Sequence, residues 1–354
     1  MSTNAPNADL NLINNHRFCY DWKLDDLNNV EKNGKKVFSC FSCGGGSSMG
    51  YKLAGFDIVG CCELDSRMIE IYKKNLHPKY SFLMDIRDFL SLENLPKELF
   101  DLDILDGSPP CSVFSLAGER EKNWGKKKKF REGQKEQRLD DLFFYFLRVV
   151  EKLKPKIFVA ENVKGLLAGN ARSYAADIIK EANSVGYDVQ VFLLNAAKMG
   201  VPQRRERVFF VGRRNDLKKP KLVLDFNESP ILFGDIRSEH GRPLSDGVIK
   251  SLVEKRRSGD RSLKDVSLRV RGKSSFFNNC FVLDEEVAPT LTSGGTNYRF
   301  VDGEKLSFSD MIAIQTFPRD YDFGKESVQY VCGMSVPPVM MANLAAGIHE
   351  QWLK

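Results

Sequence analysis

The sequence predicts an α/β protein, a doubly wound, Rossmann-like sheet with a smaller loop-rich domain attached. Three observations lead there. From Lys36 to Gly212, apolar stretches of strand length alternate with helical patterns, the rhythm of β-α-β units. Three consecutive glycines, Gly44 to Gly46, sit where the first strand meets the first helix. After Gly212 the alternation stops, and residues 213 to about 305 read as loops with short strands, the pattern of a separately shaped domain.

Residues 1 to about 34 are polar and rich in asparagine, with one short helix around Trp22 to Val30, and read as a weakly ordered extension. Val37 to Phe41 is the first buried strand, followed by a helix from about Ser47. Phe56 to Cys62 is the second strand and Ser66 to Asn75 its helix. Leu102 to Leu105, Ile157 to Val159, Val189 to Leu194 and Val208 to Val211 supply further strands, interleaved with helices over Asp141 to Leu153 and Ala171 to Val185. In the loop-rich part Phe276 to Leu283 reads as a strand, and the tail from Phe308 returns to helical spacing, ending in a helix over Pro337 to Trp352 that packs back on the sheet. The expected domains are therefore an extension (1–34), a sheet domain (35–212), a smaller domain (213–305) and a returning segment (306–354).

At 354 residues the chain can bury a full core. No apolar run approaches the roughly 18 residues of a membrane span. The asparagine-rich start also lacks a signal peptide's basic and apolar regions, so a soluble cytoplasmic protein is expected. Eight cysteines show no disulfide framework. Cys40 and Cys43 form a Cys-x-x-Cys pair, but no second pair accompanies it and the chain has four histidines, so no metal is expected. The net charge of +6 is unevenly placed: nine Lys or Arg against five acids from Cys111 to Asp140, and nine against three from Lys250 to Lys273. Such clusters suit a polyanion and equally suit solvated loops.

Cys111 follows a strand end and two prolines in Asp106-Gly-Ser-Pro-Pro-Cys-Ser-Val-Phe-Ser115. Loops leaving strand ends carry the chemistry of open α/β sheets, and Pro109-Pro110 stiffens the backbone before the sulfur, so Cys111 reads as a presented nucleophile. A small buried residue in a proline turn is the other reading. The Gly44-Gly46-Gly50 spacing admits a dinucleotide or an ordinary turn. Glu63, at the end of the second strand, is placed to accept ribose hydroxyl protons, and Asp85, after another short apolar stretch, to accept from an adenine amino group.

Glu161-Asn162-Val163 ends a further buried strand and Gln203-Arg204-Arg205-Glu206-Arg207 enters another. With Gln315-Thr316-Phe317-Pro318 and Gly333-Met334-Ser335-Val336-Pro337-Pro338 these motifs run in order from Lys36 to the C-terminus, and the chain resembles the cytosine carbon-5 DNA methyltransferases that use S-adenosylmethionine. The resemblance implies a catalytic set of Cys111, Glu161, Arg205 and Arg207, with the thiolate adding to cytosine carbon-6 and Glu161 contacting ring nitrogen 3 and the amino group. For the methyl donor it implies Phe41, Gly45, Gly46, Glu63, Asp85, Ile86, Pro110, Leu142, Ser335 and Val336. It makes 35–212 the catalytic domain and 213–305 a target-recognition domain acting on base-flipped double-stranded DNA. Ser115, Lys122, Lys127 and Arg131 would belong to a loop closing over the DNA, and Arg257, Arg269, Arg271 and Thr290 to the recognition surface. Two residues depart from the family's pattern: Cys43 stands where glycine is usual and Met334 where asparagine is. A monomer working beside a restriction endonuclease at the nucleoid is expected. The same chemistry on tRNA, and a non-catalytic DNA-binding homologue, are the alternatives.

Overall fold

The computed structural model describes residues 16–110, 141–169 and 171–354. The chain forms two compact units. The first takes Val30–Leu194, Glu206–Asp225 and Leu344–Lys354, and the second takes Asn195–Arg205 and Phe226–Asn343 together with residues 16–29.

The strands are β1 (Lys36–Cys40), β2 (Asp57–Glu63), β3 (Tyr80–Leu83), β4 (Ile104–Gly107), β5 (Ile157–Val163), β6 (Tyr187–Asn195), the two-residue β7 (Gln203–Arg204) and β8 (Glu206–Arg214). All but β7 join one seven-stranded sheet in the order β3-β2-β1-β4-β5-β8-β6. Strand β1 pairs in parallel with β2 on one side and β4 on the other. The chain therefore winds outward to β3 and then returns to β4, which makes the β1/β4 boundary the switch point where an open α/β sheet leaves a crevice beyond its carboxyl ends. Registers level those ends: Cys40 lies beside Gly107, and Gly107 beside Ala160. Strand β8 runs antiparallel to β5, so Arg207, near its start, lies beside Val163 at the same end of the sheet.

Central strands are apolar because helices cover both faces of such a sheet. Phe38, Leu105 and Phe158 are fully buried. Helix α1 is Gly46–Leu53, α2 is Ser66–Leu76, α3 is Ile86–Ser91, α4 is Leu142–Leu153 and α5 is Ala171–Ser184. In α4 the spacing of Phe143, Phe146, Leu147, Val150 and Leu153 turns one stripe inward. Each such buried side chain contributes about 1.5–3 kcal/mol. Gly107 has no room for a side chain, since a Cβ there would lie 2.5 Å from the Phe146 ring.

The second unit holds α6 (Phe233–Ile236), α7 (Val248–Glu254), α8 (Leu263–Arg271), the parallel pair β9 (Asn279–Val282) and β11 (Thr296–Arg299), and the β7 pairing with β10 (Ala288–Pro289). It continues through α9 (Phe308–Gln315) and α10 (Val328–Met334) into α11 (Pro338–Ile348). Leu252, Val253, Leu263, Val266, Phe281 and Tyr298 form a local core. The strand expected over 276–283 is shorter, because Phe276 takes a left-handed φ of 67° and interrupts it.

Three expectations change. The weakly ordered extension is packed from residue 16 onward: Trp22 is buried and its indole Nε1 donates to the Thr316 carbonyl at 2.9 Å, anchoring an otherwise polar stretch. Segments 195–205 and 306–343, expected with the sheet, belong to the second unit, because buried side-chain bonds tie them to one another there. One helical stretch among the described residues, Val328–Leu353, is long and apolar enough to cross a membrane, against the expectation of none. Its apolar window is 89% buried inside the protein, the character of a core helix.

Candidate active site

The turn after β1 is held in an unusual backbone state. Phe41, Cys43 and Gly45 have φ of 53°, 46° and 84°, all left-handed. The Phe41 amide donates to Cys62 O at 2.9 Å and the Gly45 amide to Ser42 O at 2.8 Å, so the turn is fastened at both ends. Gly45 is required twice over, for its φ and because a Cβ would sit 2.4 Å from Leu76 Cδ1 on α2. No side chain caps α1, which opens at Gly46 beneath this turn. Its first amides point toward the crevice end of the sheet, a disposition suited to a polar ligand. Cys43 carries a side chain in a conformation that favours glycine, so Cys43→Gly should raise stability by about 0.5–1 kcal/mol, measured as the urea midpoint. A fall in the midpoint would show that the Cys43 thiol, 3.7 Å from Met68 sulfur, matters more than the strain.

Glu63 closes β2 and receives the amides of Cys43, Leu64 and Asp65 at 2.7, 2.8 and 2.9 Å. Burial raises its pKa, against the lowering by those amides. A carboxylate has about four lone-pair sites, so roughly one remains for an incoming hydroxyl. Asp85 caps α3 by accepting from the Arg87 amide at 2.8 Å and pairs with its guanidinium at 3.1 Å. Ile86 and Leu142 are buried in the sheet core, and Phe41 packs against it half-buried.

Beyond β4 the turn Ser108-Pro109-Pro110 leads to Cys111, which lies outside the described residues with Ser115, Lys122, Lys127 and Arg131. Asn162 pins this turn from the neighbouring strand. Its Nδ2 donates to Pro109 O at 3.2 Å while its Oδ1 accepts from the Val163 amide at 2.8 Å. Glu161, one residue earlier, is paired with Arg207, Nε to Oε1 at 2.9 Å. They meet because Glu161 faces Phe209 in the antiparallel register, which puts Arg207 diagonally across on the same face. Burial lowers the Arg207 pKa and Glu161 opposes that. Below the turn, Asp106 is 1% exposed and accepts from Ser39 Oγ at 2.8 Å and Tyr51 OH at 3.3 Å. Burial pushes its carboxyl up to about 7.

In the second unit Arg205 has a different task from the catalytic one expected. Its guanidinium is 2% exposed and donates to the carbonyls of Leu291, Gly333 and Ser335, each at 3.0 Å. Gln203 works beside it, donating to Gln315 Oε1 at 2.7 Å and accepting from the Leu291 amide at 2.9 Å, while Gln315 donates to Ser335 O at 2.7 Å. Thr290 Oγ1 donates to Arg204 O at 2.7 Å. Ser335 and Val336 are 4% and 5% exposed. Motifs far apart in sequence are thus stitched into one buried polar network, a role the sequence reading missed for Gln203 and Gln315, as it missed the separate task of Asn162 at the Pro109 turn of the first unit. Arg205→Ala should destabilise by at least about 3 kcal/mol by orphaning buried carbonyls, and Arg205→Lys should not rescue it. A urea midpoint and slope unchanged from wild type would contradict this.

The basic cluster also divides. Arg269 pairs with Asp260 through both terminal nitrogens at 2.6 and 2.9 Å, a contact that ties α8 to the loop before it. Arg257 and Arg271 are exposed.

A switch-point crevice, a glycine turn, acids near the ends of β2 and β5 and a Pro-Pro turn after β4 define an open α/β protein with its ligand crevice at the carboxyl end of the sheet. Solved structures share the fold. The S. pombe Dnmt2 methyltransferase superposes with a TM-score of 0.58 at 17% identity, over 89% of this chain and 98% of that one. The crystal structure of an E. coli prophage protein described as a DNA modification methyltransferase gives 0.64 at 18%, over 91% and 100%. Residues 35–350 match the C-5 cytosine-specific DNA methylase family, and the chain belongs to it. Similar proteins include the Type II methyltransferase M.NgoPII of Neisseria gonorrhoeae, 29% identical over 90% of this chain and 96% of that protein. M.FnuDI of Fusobacterium nucleatum is 41% identical over 51% of this chain, and the match spans about half of that relative, 48%.

Proposed function

We propose that this protein methylates carbon-5 of a cytosine flipped out of duplex DNA, taking the methyl group from S-adenosylmethionine. The observation that carries the reading is the convergence at the carboxyl end of the sheet. The turn leading to Cys111 is tied by Asn162 to the strand that bears Glu161, and Glu161 is oriented by Arg207.

The residues present fit the cofactor. Phe41, Gly45 and Gly46 line the left-handed turn, Glu63 retains acceptor capacity for a ribose hydroxyl, and Asp85 and Ile86 follow β3 where adenine would lie. Pro110, Leu142, Ser335 and Val336 are assigned to its walls on the family resemblance alone. S-adenosylmethionine, when bound, supplies an electrophilic methyl group.

Cys111 as thiolate adds to carbon-6 and its electron pair forms the S–C bond, pushing the ring's π electrons toward carbon-5. Glu161 holds ring nitrogen 3 and the amino group, and Arg207 the carbonyl oxygen, where charge develops. Carbon-5 would take the methyl while the donor leaves as the neutral thioether S-adenosylhomocysteine with the C–S bond pair; water then accepts the carbon-5 proton, and that C–H pair restores the C5–C6 double bond and expels Cys111 as thiolate. Ser115, Lys122, Lys127 and Arg131 contact the DNA from one loop, and Arg257, Arg271 and Thr290 from the second unit, which serves target recognition. The enzyme acts as a monomer in the cytoplasm on nucleoid DNA, paired with a cognate restriction endonuclease.

Mapping 5-methylcytosine in DNA from a methylation-free host expressing the protein tests this. Modification at one short recurring sequence is the expected result. Unmodified DNA, or methyl groups found in tRNA alone, would overturn it.

A further inference from the structure

Helix α8 ends at Gly272 with φ 64°, and the chain folds back through a fastened turn. Ser267 Oγ donates to Lys273 O at 2.8 Å and shares a hydrogen bond with Ser275 Oγ at 2.9 Å. Phe276 is forced into the left-handed region while its ring packs on the Leu252–Tyr298 core, and its carbonyl accepts from the Asn279 amide at 3.2 Å. The strained, anchored Phe276 leaves the next residue, Phe277, directed outward and 63% exposed.

Its surroundings are cationic. Lys264 Nζ stands 5.3 Å from the Phe277 ring centroid. Lys264, Leu268 and Arg271 recur at helical spacing on one face of α8, opposite the buried Leu263 and Val266, and Leu268 is 53% exposed. Among the described residues no side-chain hydrogen bond or ion pair is formed by Arg271 or Lys273, both exposed. A lone exposed phenylalanine needs no explanation. One presented by a strained turn, with a lysine over its ring and two exposed cations close by in the chain, matches what a nucleic acid offers, stacked flat bases between rows of phosphate.

We propose that Phe277 enters the base stack of the DNA duplex beside the recognition site, with Lys264, Arg271 and Lys273 on the flanking phosphates. The proposal rests on the DNA-methyltransferase reading above and adds the residue that wedges the duplex. Stacking of a base on an aromatic ring is lost on truncation, so Phe277→Ala should lower kcat/KM for DNA by about tenfold or more. Phe277→Trp should restore it to within about threefold and gain emission that duplex DNA quenches beyond the wild-type change. Urea midpoints of both variants should match wild type, since the ring is solvent-facing.

The assay is transfer of tritiated methyl to unmethylated genomic DNA by the full chain, with a fluorescein-labelled duplex for binding. Phe277→Ala activity and binding within twofold of wild type would overturn the proposal, as would unquenched Phe277→Trp, the result expected if this face docks a protein. An inactive wild type that still binds duplex through Phe277 would instead sink the methyltransferase reading and leave the wedge standing.

Discussion

Cys111→Ser protein is expected to bind the methyl donor and duplex DNA as wild type does and to transfer no methyl groups, a loss of about a thousandfold or more. The reason is chemical. Carbon-5 of cytosine becomes nucleophilic only after a soft anion adds at carbon-6, and a serine hydroxyl, far less acidic than a thiol, supplies almost none. What precedes position 111 supports this assignment: the Pro109 carbonyl is bonded to Asn162, and Glu161 adjoins Asn162, so the turn and the acid share one anchor. Duplexes carrying 5-fluorocytosine should trap a covalent adduct with wild type and none with Cys111→Ser, since fluorine blocks the final loss from carbon-5. Methyl transfer by Cys111→Ser at a rate near wild type would remove the mechanism.

The second large effect concerns Asp106 and pH. Burial raises its carboxyl from 3.8 to about 7 in the folded chain, so the folded state binds the proton more tightly than the unfolded state does. Stability from this group is therefore fully present below pH ~4 and is lost as pH rises through ~7. Over those roughly three units, at about 1.4 kcal/mol each, the swing is about 4 kcal/mol. Asp106→Asn removes the titration. Its unfolding free energy relative to wild type should climb by about that amount between pH 4 and 7 and then level off. Urea unfolding at one-unit intervals reads this directly. Parallel curves for the two proteins would mean that Ser39 and Tyr51 keep Asp106 ionised at low cost.

Continuous apolar runs made β1, β2, β4, β5 and β8 legible in the sequence, because strands buried on both faces cannot afford polar residues. Strand β3 lies at the sheet edge, with Tyr80 and Phe82 half-buried and Ser81 and Leu83 exposed, and four alternating residues leave little pattern to read. The acids Glu63, Asp85 and Glu161 were locatable because each follows a strand end. Arg205 was not, since its neighbour two residues on is of identical type and only the fold separates a guanidinium that fastens carbonyls from one that pairs with Glu161. The pairing of Arg269 was hidden for the same reason: in a basic run nothing marks which cation has a carboxylate partner, here Asp260, nine residues earlier. Trp22 sits between Asp21 and Lys23, and its partner Thr316, nearly three hundred residues on, was invisible to periodicity.

Arg205 and Arg207 bracket the single residue Glu206, yet one fastens Leu291, Gly333 and Ser335 and the other orients the acid on β5. Spacing here is consequently as constrained as residue type. An added or deleted amino acid between them would reverse the facing of β8 or pull a guanidinium off its carbonyls. Length variation along this lineage should be tolerated in surface loops and excluded from this tripeptide.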